Sequence, residues 1–499
     1  MLHKVIRSIE SFGHRNAFCI DGNYYTYNDF ADSVGRIIST LRESNCEQEK
    51  LIGVMAYNDI ETYASIYAIL FSGCGFVPLN PANPPDRNLS IADTSDIQTI
   101  LTSRDFPGHR QLFPEKIKVM DTINLPDSAA PLTIPDTDKD DIAYILFTSG
   151  STGKPKGVPV SRGNLAAFIE AFLGLGYDVS ENDRFLQMFE LTFDFSIFTY
   201  MLPLCIGACV YTIPSDGIKY ASVYTIMEEY EITFAAMVPS ILTYLRPYFP
   251  EILFPSMKYS LFCGEGLYSD IVREWIKCVP ACKIINAYGP TEATVFCLIY
   301  DWDKDNSNKD LNGIISIGKA FNRMSAMVVD ESLNPLPAGC SGELCLSGDQ
   351  LISGYWKDPQ KDKEAFFRPG NNGSDALYYR TGDLALVDAE GDFMYCGRLD
   401  FQVKIQGYRI ELGEIEFHTR ELTRLSNVAA VAHSNKNGIM QIHLFLEGYE
   451  NGGFNSITEY LRTKVPEYML PSTIRSMERF PLSINGKTDR KALAAMIEN

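Results

Sequence analysis

The chain of 499 residues is too long for one compact core, so we expect at least two domains. Its hydrophobic content of 45% and aromatic content of 12% are typical of a packed globular protein and exclude a disordered one. A net charge of −19 argues against binding to nucleic acid or to an anionic membrane surface, because both require a basic surface. We therefore expect a soluble, acidic protein.

The sequence has no clear targeting or metal-binding pattern. Residues 1–18 contain scattered charges and no apolar core of signal-peptide length. Residues 195–215 are uncharged, but Pro203 and Gly207 interrupt them, so a buried helix followed by a buried strand explains them better than a membrane span. The twelve cysteines form no CxxC pair and the six histidines no metal-binding pattern. We expect reduced thiols, a cytoplasmic location and no metal site built by protein ligands alone.

Helical and strand-like stretches alternate over roughly the first three hundred residues. Residues 26–43 and 59–73 have helical periodicity, whereas residues 50–57 and 75–80 have strand character. This alternation predicts parallel sheets that are covered by helices.

The later part of the chain has a different pattern. After a polar loop at 301–313, short alternating strands with Pro and Gly turns predict a small β-barrel subdomain over about 315–398. Residues 397–416 then begin a smaller α+β unit. We predict an α/β protein with an N-terminal domain at 1–398, built on two helix-covered parallel sheets, and a C-terminal domain at 399–499.

Residues 144–157, YILFTSGSTGKPKG, have the composition of a phosphate-binding loop but not the usual spacing. In a Walker A loop a glycine would replace Thr148 and a hydroxyl residue would replace Pro155. A nucleophile elbow is also excluded, because Ser149 stands where its first glycine belongs.

We expect a donor-rich loop between a buried strand and a helix that begins near residue 161. Glycine amides and hydroxyls can wrap a polyphosphate, and a lysine can neutralise it. The candidate residues are Thr148, Ser149, Gly150, Ser151, Thr152, Gly153 and Lys156. Taken alone, the loop would also be explained as a surface turn.

Further motifs follow in order along the chain. They are FDFS (193–196), NAYGPTEATV (286–295), GELCLSG (342–348), YRTGDLA (379–385), GRLDFQVKIQGYRIELGEIE (397–416), PEYMLP (466–471) and NGKTDRKAL (485–493). Together with the loop they resemble the adenylate-forming superfamily, which includes acyl-CoA synthetases, luciferases and the amino-acid adenylation domains of nonribosomal peptide synthesis. The resemblance covers nearly the whole chain.

The resemblance implies two half reactions that use ATP and Mg²⁺. A carboxylate attacks the α-phosphorus of ATP, and a thiol then attacks the acyl-adenylate. Lys487 matches the family lysine that bridges the substrate carboxylate and the α-phosphate, Glu292 matches the Mg²⁺ ligand, and Thr291 lies beside the α-phosphate. An ordinary solvated lysine is the alternative for Lys487.

The resemblance also assigns the nucleotide site. Asp383 would accept the ribose hydroxyls and Arg398 would support the ribose or a phosphate, whereas a turn cap and a surface ion pair are the alternatives. Tyr288 and the backbone of Gly264 and Glu265 would hold the adenine. Three neighbours in the NAYG motif belong to the same site: Asn286, Ala287 and Gly289.

Asp400 matches the hinge about which a mobile C-terminal domain rotates between the half reactions. Lys487 would serve the first orientation, and the KIQGYR face with Gly407 would serve the second by opening a thiol channel. The family usually has arginine in place of Gln406. This difference affects only the contacts expected with the thiol acceptor.

Asp194 is the most informative residue for the substrate. In the α-amino-acid activators of the family, the aspartate of this motif pairs with the substrate ammonium, and a buried carboxylate needs such a partner. Helix capping is the alternative. The other expected pocket residues are Phe195, Phe198, Ser240, Leu261, Cys263, Ala287 and Val295, with Phe296 as a further candidate.

Bulky side chains at Phe195, Phe198 and Leu261 leave little room, so we expect glycine as the substrate and alanine of either hand next. The segment LFCGEGL (261–267) resembles that of D-alanine–carrier-protein ligases, although Cys263 alone would more simply be a small buried residue. The chain is also similar to freestanding glycine-activating enzymes that supply lipid A modification in Gram-negative bacteria.

Six residues follow the NGKTDRKAL motif, so we expect the thiol to come from a separate phosphopantetheinylated carrier protein, with the enzyme as a monomer. Two alternatives remain at this point. One is an acyl- or aryl-CoA synthetase of the same superfamily, and the other is a non-catalytic binding or regulatory protein on this scaffold.

Overall fold

The computed structural model describes residues 1–104, 113–150, 155–304, 307–369, 376–400, 402–449, 453–482 and 488–497. The chain divides into two compact units. The first comprises Met1–Pro81, Ser95–Leu146 and Gly157–Leu399, and the second comprises Ala82–Thr94, Phe147–Lys156 and Asp400–Asn499. Two short segments from the N-terminal half thus belong to the same unit as the C-terminal residues.

The strands follow in chain order. They are β1 (Asn16–Ile20), β2 (Asn23–Thr26), β3 (Leu51–Met55), β4 (Gly75–Leu79), β5 (Thr99–Thr102), β6 (Lys118–Asp121), β7 (Ile142–Thr148), β8 (Lys156–Ser161), β9 (Arg184–Gln187), β10 (Cys209–Thr212), β11 (Phe234–Met237), β12 (Tyr259–Phe262), β13 (Lys283–Tyr288), β14 (Leu298–Trp302), β15 (Asp310–Leu311), β16 (Ile314–Ile315), β17 (Lys319–Ala320), β18 (Met324–Val329), β19 (Gly342–Gly348), β20 (Phe366–Phe367), β21 (Tyr378–Val387), β22 (Phe393–Arg398), β23 (Gln402–Ile405), β24 (Tyr408–Glu411), β25 (Val428–Ser434), β26 (Met440–Glu447) and β27 (Thr473–Met477).

The α-helices are Leu2–Phe12, Tyr27–Glu43, Ile60–Phe71, Pro85–Thr94, Arg162–Leu173, Phe195–Ile206, Lys219–Glu229, Pro239–Leu245, Ser269–Cys278, Pro359–Ala365, Leu412–Thr423, Phe454–Arg462 and Arg490–Ala495. Short 3₁₀ helices lie at Cys46–Gln48, Arg246–Glu251, Thr291–Ala293 and Glu467–Met469. Within the described part of the chain, no helix has both the length and the hydropathy that crossing a bilayer requires.

The first unit is built on two large sheets. One has the order β17-β14-β13-β12-β11-β9-β10-β1-β2, with parallel pairing from β13 through to β1. The other has the order β6-β5-β3-β4-β7-β8. Central strands such as β3 are buried along their whole length, as expected for a parallel sheet that is covered on both faces.

Residues 195–215 form a buried helix, Phe195–Ile206, and then the buried strand β10, which confirms the interpretation that they are not a membrane span. The helix that was expected to begin near residue 161 begins at Arg162, which confirms that prediction, but the strand before it was not predicted. Strand β8 lies between the loop and the helix Arg162–Leu173. It tolerates Pro159 because it is the edge strand of its sheet, where a missing N–H costs little.

The end of the first unit is an antiparallel sheet of order β18-β19-β21-β20, with β22 paired to β21. The second unit contains the sheet β25-β26-β27 and the hairpin β23–β24. Its core packs apolar residues of the hairpin, the helices and this sheet, among them Ile410, Ile415 and Leu444. The predicted fold class, helix-covered parallel sheets with a small β subdomain and an α+β unit, is confirmed.

Candidate functional site

The predicted pocket residues lie where neighbouring parallel strands end. Strands β11, β12 and β13 are adjacent, so their carboxyl ends meet at one edge of the nine-stranded sheet. Open α/β sheets bind their ligands at this edge. Ser240 follows β11, Cys263 follows β12, and Tyr288 ends β13.

These strand ends are linked to one another. The backbone N–H of Ser240 donates to a carboxylate oxygen of Glu265 at 2.8 Å, which joins the loop after β11 to the loop after β12. Glu265 follows Gly264, whose φ of +97° turns the chain sharply after β12. Cys263 and three other predicted pocket residues are buried: Leu261, Ala287 and Val295.

Asp194 lies just before the helix Phe195–Ile206 and is only 8% exposed. Its Oδ2 accepts a hydrogen bond from the Thr291 hydroxyl at 2.6 Å. Its carboxylate makes no capping hydrogen bond to the helix, so the capping alternative is wrong. The structure thus brings together the two residues that the sequence assigned to the amine and to the α-phosphate.

Aromatic rings form the floor beside Asp194. The ring of Phe296 contacts Phe198 at a centroid distance of 5.2 Å and Phe195 at 6.0 Å, both edge to face. Phe168 also contacts Phe296, at a centroid distance of 5.0 Å. All four side chains are buried, so this part of the site is rigid and apolar.

The connection between β13 and β14, residues 289–296, carries Thr291 and Glu292; we call it the Glu292 turn. It folds back on itself, since the Cys297 N–H donates to the Tyr288 carbonyl at 2.9 Å. A Cβ added to Gly289 would lie 2.4 Å from the Phe296 Cα, so only glycine fits there. This close approach explains the glycine of the NAYGPTE motif.

Glu292 is fully buried, and its Oε1 accepts a hydrogen bond from the Tyr355 hydroxyl at 2.6 Å. Its carbonyl accepts from the Ile352 N–H at 3.0 Å. Carboxylate oxygens are the ligands that Mg²⁺ prefers. Among the described residues, no group of three or more His, Cys, Asp or Glu side chains could hold a metal ion.

The predicted nucleotide residues also contact one another. The Tyr288 hydroxyl donates to Asp383 Oδ2 at 2.5 Å, and Arg398 Nη1 donates to Asp383 Oδ1 at 2.7 Å. Burial and the nearby Asp383 carboxylate raise the pKa of Tyr288 well above its ordinary value, so its hydroxyl remains the donor. Asp383 lies inside β21 and Arg398 is largely buried, so the turn-cap and surface-ion-pair alternatives are wrong.

The Asn286 side chain has a structural contact. Its amide nitrogen donates to the backbone carbonyls of Ile315 and Ser316 at 3.2 and 2.9 Å, which ties β13 to the chain that follows it. A direct nucleotide contact from this amide nitrogen is therefore not supported, because its two hydrogens are already used.

The glycine-rich loop belongs to the second unit, and its described donors contact residues of that unit. The Ser149 hydroxyl donates to the Arg409 carbonyl at 2.8 Å, and the Gly150 N–H lies 3.3 Å from Glu414 Oε2. The Thr148 hydroxyl is buried with no hydrogen-bond partner in the described part of the chain.

Four predicted site residues lie outside the described residues: Ser151, Thr152, Gly153 and Lys487. Lys156 begins β8. Asp400 begins the C-terminal segment of the second unit, and its Oδ1 accepts from the Gln402 N–H at 3.1 Å. Gln406 and Gly407 both have positive φ and form the two-residue turn of the β23–β24 hairpin.

The profile of the family described as AMP-binding enzyme matches residues 6–356. The chain belongs to this family. The resemblance to the adenylate-forming superfamily is thereby confirmed.

Two curated relatives show that the proteins similar to this chain differ in length. Zwittermicin A synthase ZmaJ of Bacillus cereus is 31% identical over 484 residues, which are 94% of this chain and 90% of that protein. Tyrocidine synthase 1 of Brevibacillus parabrevis is 30% identical over 97% of this chain. The chain spans only 44% of that longer protein.

Solved structures are similar over the whole chain. The Vibrio cholerae adenylation domain AlmE, in complex with glycyl-adenosine-5'-phosphate, has a TM-score of 0.86 and 25% identity, and the match covers 100% of this chain and 97% of that one. PA1221, a nonribosomal peptide synthetase protein with adenylation and PCP domains, has a TM-score of 0.87 and 25% identity over 99% of this chain and 83% of that one.

Sequence reasoning missed Tyr355 and Gln350, which contact the Glu292 turn. Both lie just after the GELCLSG motif, in SGDQLISGYW. The available signal was a glutamine among small and apolar residues. Such a residue is buried here, and a buried glutamine side chain needs hydrogen-bond partners within the fold.

Proposed function

We propose that the protein activates a small amino acid with ATP and Mg²⁺, forming an aminoacyl-adenylate, and then transfers the aminoacyl group to a carrier-protein thiol. The observation that carries this proposal is the buried Asp194 carboxylate, hydrogen-bonded to Thr291 at the strand-end site. A buried carboxylate favours a cationic ligand, and the ammonium group of an α-amino acid is such a ligand.

Glycine is the proposed substrate, followed by alanine of either hand. The packed rings of Phe195, Phe198 and Phe296 favour a ligand with little or no side chain next to Asp194. AlmE, which binds glycyl-adenosine-5'-phosphate, supports the same choice by similarity.

In the first half reaction, a substrate carboxylate oxygen forms a bond to the α-phosphorus while the bond from that phosphorus to the bridging oxygen breaks, releasing pyrophosphate. Both reactants are anions, so positioning and charge neutralisation supply most of the catalysis. We propose that Lys487 contacts both anions. The Thr291 hydroxyl, adjacent to Asp194, would place the α-phosphate next to the bound amino acid.

Glu292 would hold the Mg²⁺ ion, which neutralises phosphate charge when it is bound. Asp383 would accept the ribose hydroxyls, oriented by Tyr288 and Arg398. The backbone of Gly264 and Glu265 would face the adenine. The amides and hydroxyls of the glycine-rich loop would donate hydrogen bonds to the phosphates.

In the second half reaction, a thiol sulfur attacks the aminoacyl carbonyl and AMP leaves. We propose a hinge at Asp400, where the second unit resumes after the first, and a thiol channel along the Gln406–Gly407 hairpin. PA1221 joins adenylation and PCP domains in one protein, which supports a carrier as the acceptor. We propose that the carrier is a separate protein. We further propose that the enzyme is a monomer and acts in the cytoplasm.

Pyrophosphate exchange tests the substrate class. Wild-type protein is assayed with glycine, both alanines, serine and β-alanine, alongside Asp194→Ala and Asp194→Asn. We expect kcat/KM for glycine to fall about a hundredfold in both variants, because loss of one partner of a buried charge pair costs about 2–5 kcal/mol. Asp194→Asn tests the charge separately from the hydrogen bond, since its amide oxygen can still accept from Thr291.

Other outcomes would identify another function. Exchange driven by a fatty or aryl acid and unaffected in Asp194→Ala would indicate an acyl- or aryl-CoA synthetase. No exchange with any carboxylate would favour a binding or regulatory protein. Full activity in Asp194→Asn would show that the charge is not needed.

A second experiment concerns Lys487. We expect Lys487→Ala to reduce adenylate formation about 100- to 1000-fold, the usual effect of removing one group that stabilises transition-state charge. Lys491→Ala, in the helix Arg490–Ala495, is the matched control and should remain active. Undiminished adenylate formation in Lys487→Ala would refute the proposed clamp.

A further inference from the structure

The Glu292 turn has an unusual backbone. Thr294 and Val295 both have positive φ, +55° and +71°, although both are β-branched. The Phe296 N–H donates to the Thr294 carbonyl at 3.0 Å, which closes a tight three-residue turn around Val295. Such conformations are strained and persist only where the surrounding structure holds them.

The supporting contacts come from residues 350–352. Gln350 is 1% exposed, and its Nε2 donates to the Phe296 carbonyl at 3.0 Å. The Thr294 hydroxyl donates to the Gln350 carbonyl at 2.6 Å, and the Ile352 N–H donates to the Glu292 carbonyl at 3.0 Å. The turn is therefore fixed at its middle and at its end by a segment that is distant in sequence.

Both ends of the turn contact the candidate pocket. At the start, Thr291 donates to Asp194. At the end, the Phe296 ring packs on Phe195 and Phe198. Because Gln350 holds the Phe296 backbone, a shift of this carbonyl would move the aromatic floor relative to Asp194.

We propose that Gln350 is a specificity-determining positioning residue. It fixes the strained turn so that the Phe296 ring closes the pocket against any side chain larger than a hydrogen atom. The inference rests on the proposed function, since it concerns which amino acid that site accepts. Gln350 acts through Phe296 and does not need to touch the substrate.

The test compares Gln350→Met with Gln360→Met. Methionine keeps the length of glutamine but has no N–H donor, and Gln360 is an exposed residue of the helix Pro359–Ala365. Pyrophosphate exchange gives kcat/KM for glycine and for each alanine, together with the KM for ATP. Thermal unfolding of each variant is recorded in parallel.

We expect the preference for glycine over alanine to fall about tenfold or more in Gln350→Met, which is what one methyl group is worth in a tight pocket. The KM for ATP should stay within about twofold, since the nucleotide contacts lie elsewhere. Gln360→Met should behave as the wild type. A parallel fall for glycine and alanine, with an unchanged ratio, would overturn the proposal, because it would indicate loss of folded protein alone.

If Gln350→Met does not fold, Gln350→Leu decides the matter. Leucine also lacks the N–H that donates to the Phe296 carbonyl, but it has a smaller apolar side chain. A reduced glycine preference supports the proposal, and an unchanged one refutes it. Wild-type protein that exchanges with no amino acid would refute the proposed function itself and this inference with it, whereas an active wild type with unchanged variants would refute this inference alone.

Discussion

The Glu292 turn and the glycine-rich loop are both predicted to serve ATP, but their donors are engaged differently. In the turn, Thr291 contacts another predicted site residue, Asp194. In the loop, Ser149 and Gly150 contact Arg409 and Glu414, which the sequence did not assign to phosphate binding. The residues proposed to bind the amino acid therefore contact one another within the first unit, whereas the described loop donors contact residues of the second.

The Glu414 carboxylate accepts a hydrogen bond from the Gly150 N–H, a loop donor that was expected to bind a phosphate oxygen. Its other oxygen forms an ion pair with Arg87 at 2.6 Å, and both side chains are almost completely buried. A carboxylate and a phosphate are both anions, so they would repel each other if both accepted from the same amide hydrogen. In the proposed reaction, the Gly150 N–H must exchange this partner before it can bind ATP.

The largest expected effect concerns the ion pair that holds Glu414. Arg87→Met would leave a buried carboxylate without its cation, and the free energy of unfolding of the second unit should fall by about 3–5 kcal/mol. Urea unfolding, followed by hydrogen exchange of the β25–β27 amides, measures this change.

The double variant Arg87→Met, Glu414→Leu is the control for that prediction. Since it removes both charges, it should recover most of the lost stability. An equally unstable double variant would mean that Arg87 acts through packing rather than through charge. Neither substitution removes a residue that is assigned to the proposed reaction, so glycine-dependent exchange should persist in the folded double variant.

The resemblance to the family could assign the residues of the Glu292 turn because they are contiguous in one motif, NAYGPTEATV. Strands β11 to β13 are short apolar runs separated by helices, so a parallel sheet places their carboxyl ends together. The resemblance assigned Asp194 in the same way, from the motif FDFS. Such an assignment needs only residues that are neighbours in sequence.

Contacts between distant segments could not be predicted. Tyr355 is 63 residues from Glu292, and Gln350 is 54 residues from Phe296. A single buried polar side chain has no periodicity, so its partner is fixed only by the packing of loops from different sheets. The engagement of Ser149, 260 residues from Arg409, was missed for the same reason.

The smallest expected effect concerns Tyr355, whose hydroxyl holds Glu292 Oε1. Tyr355→Phe keeps the ring packed against Phe366 and removes the hydroxyl, which donates to Glu292 and also lies 3.3 Å from the Tyr379 hydroxyl. A hydrogen bond to a charged group contributes about 1.5–3 kcal/mol, so kcat for pyrophosphate exchange should fall about tenfold with little change in the KM for glycine.

The concentration of Mg²⁺ that gives half-maximal exchange should rise in Tyr355→Phe, because the carboxylate loses the contact that orients it toward the metal. Tyr378→Phe, which removes a hydroxyl from β21, is the matched control. If the Mg²⁺ requirement is unchanged while the KM for glycine rises, then Tyr355 supports the amino-acid side of the turn instead. The Glu292 turn would then be organised around Asp194 rather than around the metal ligand.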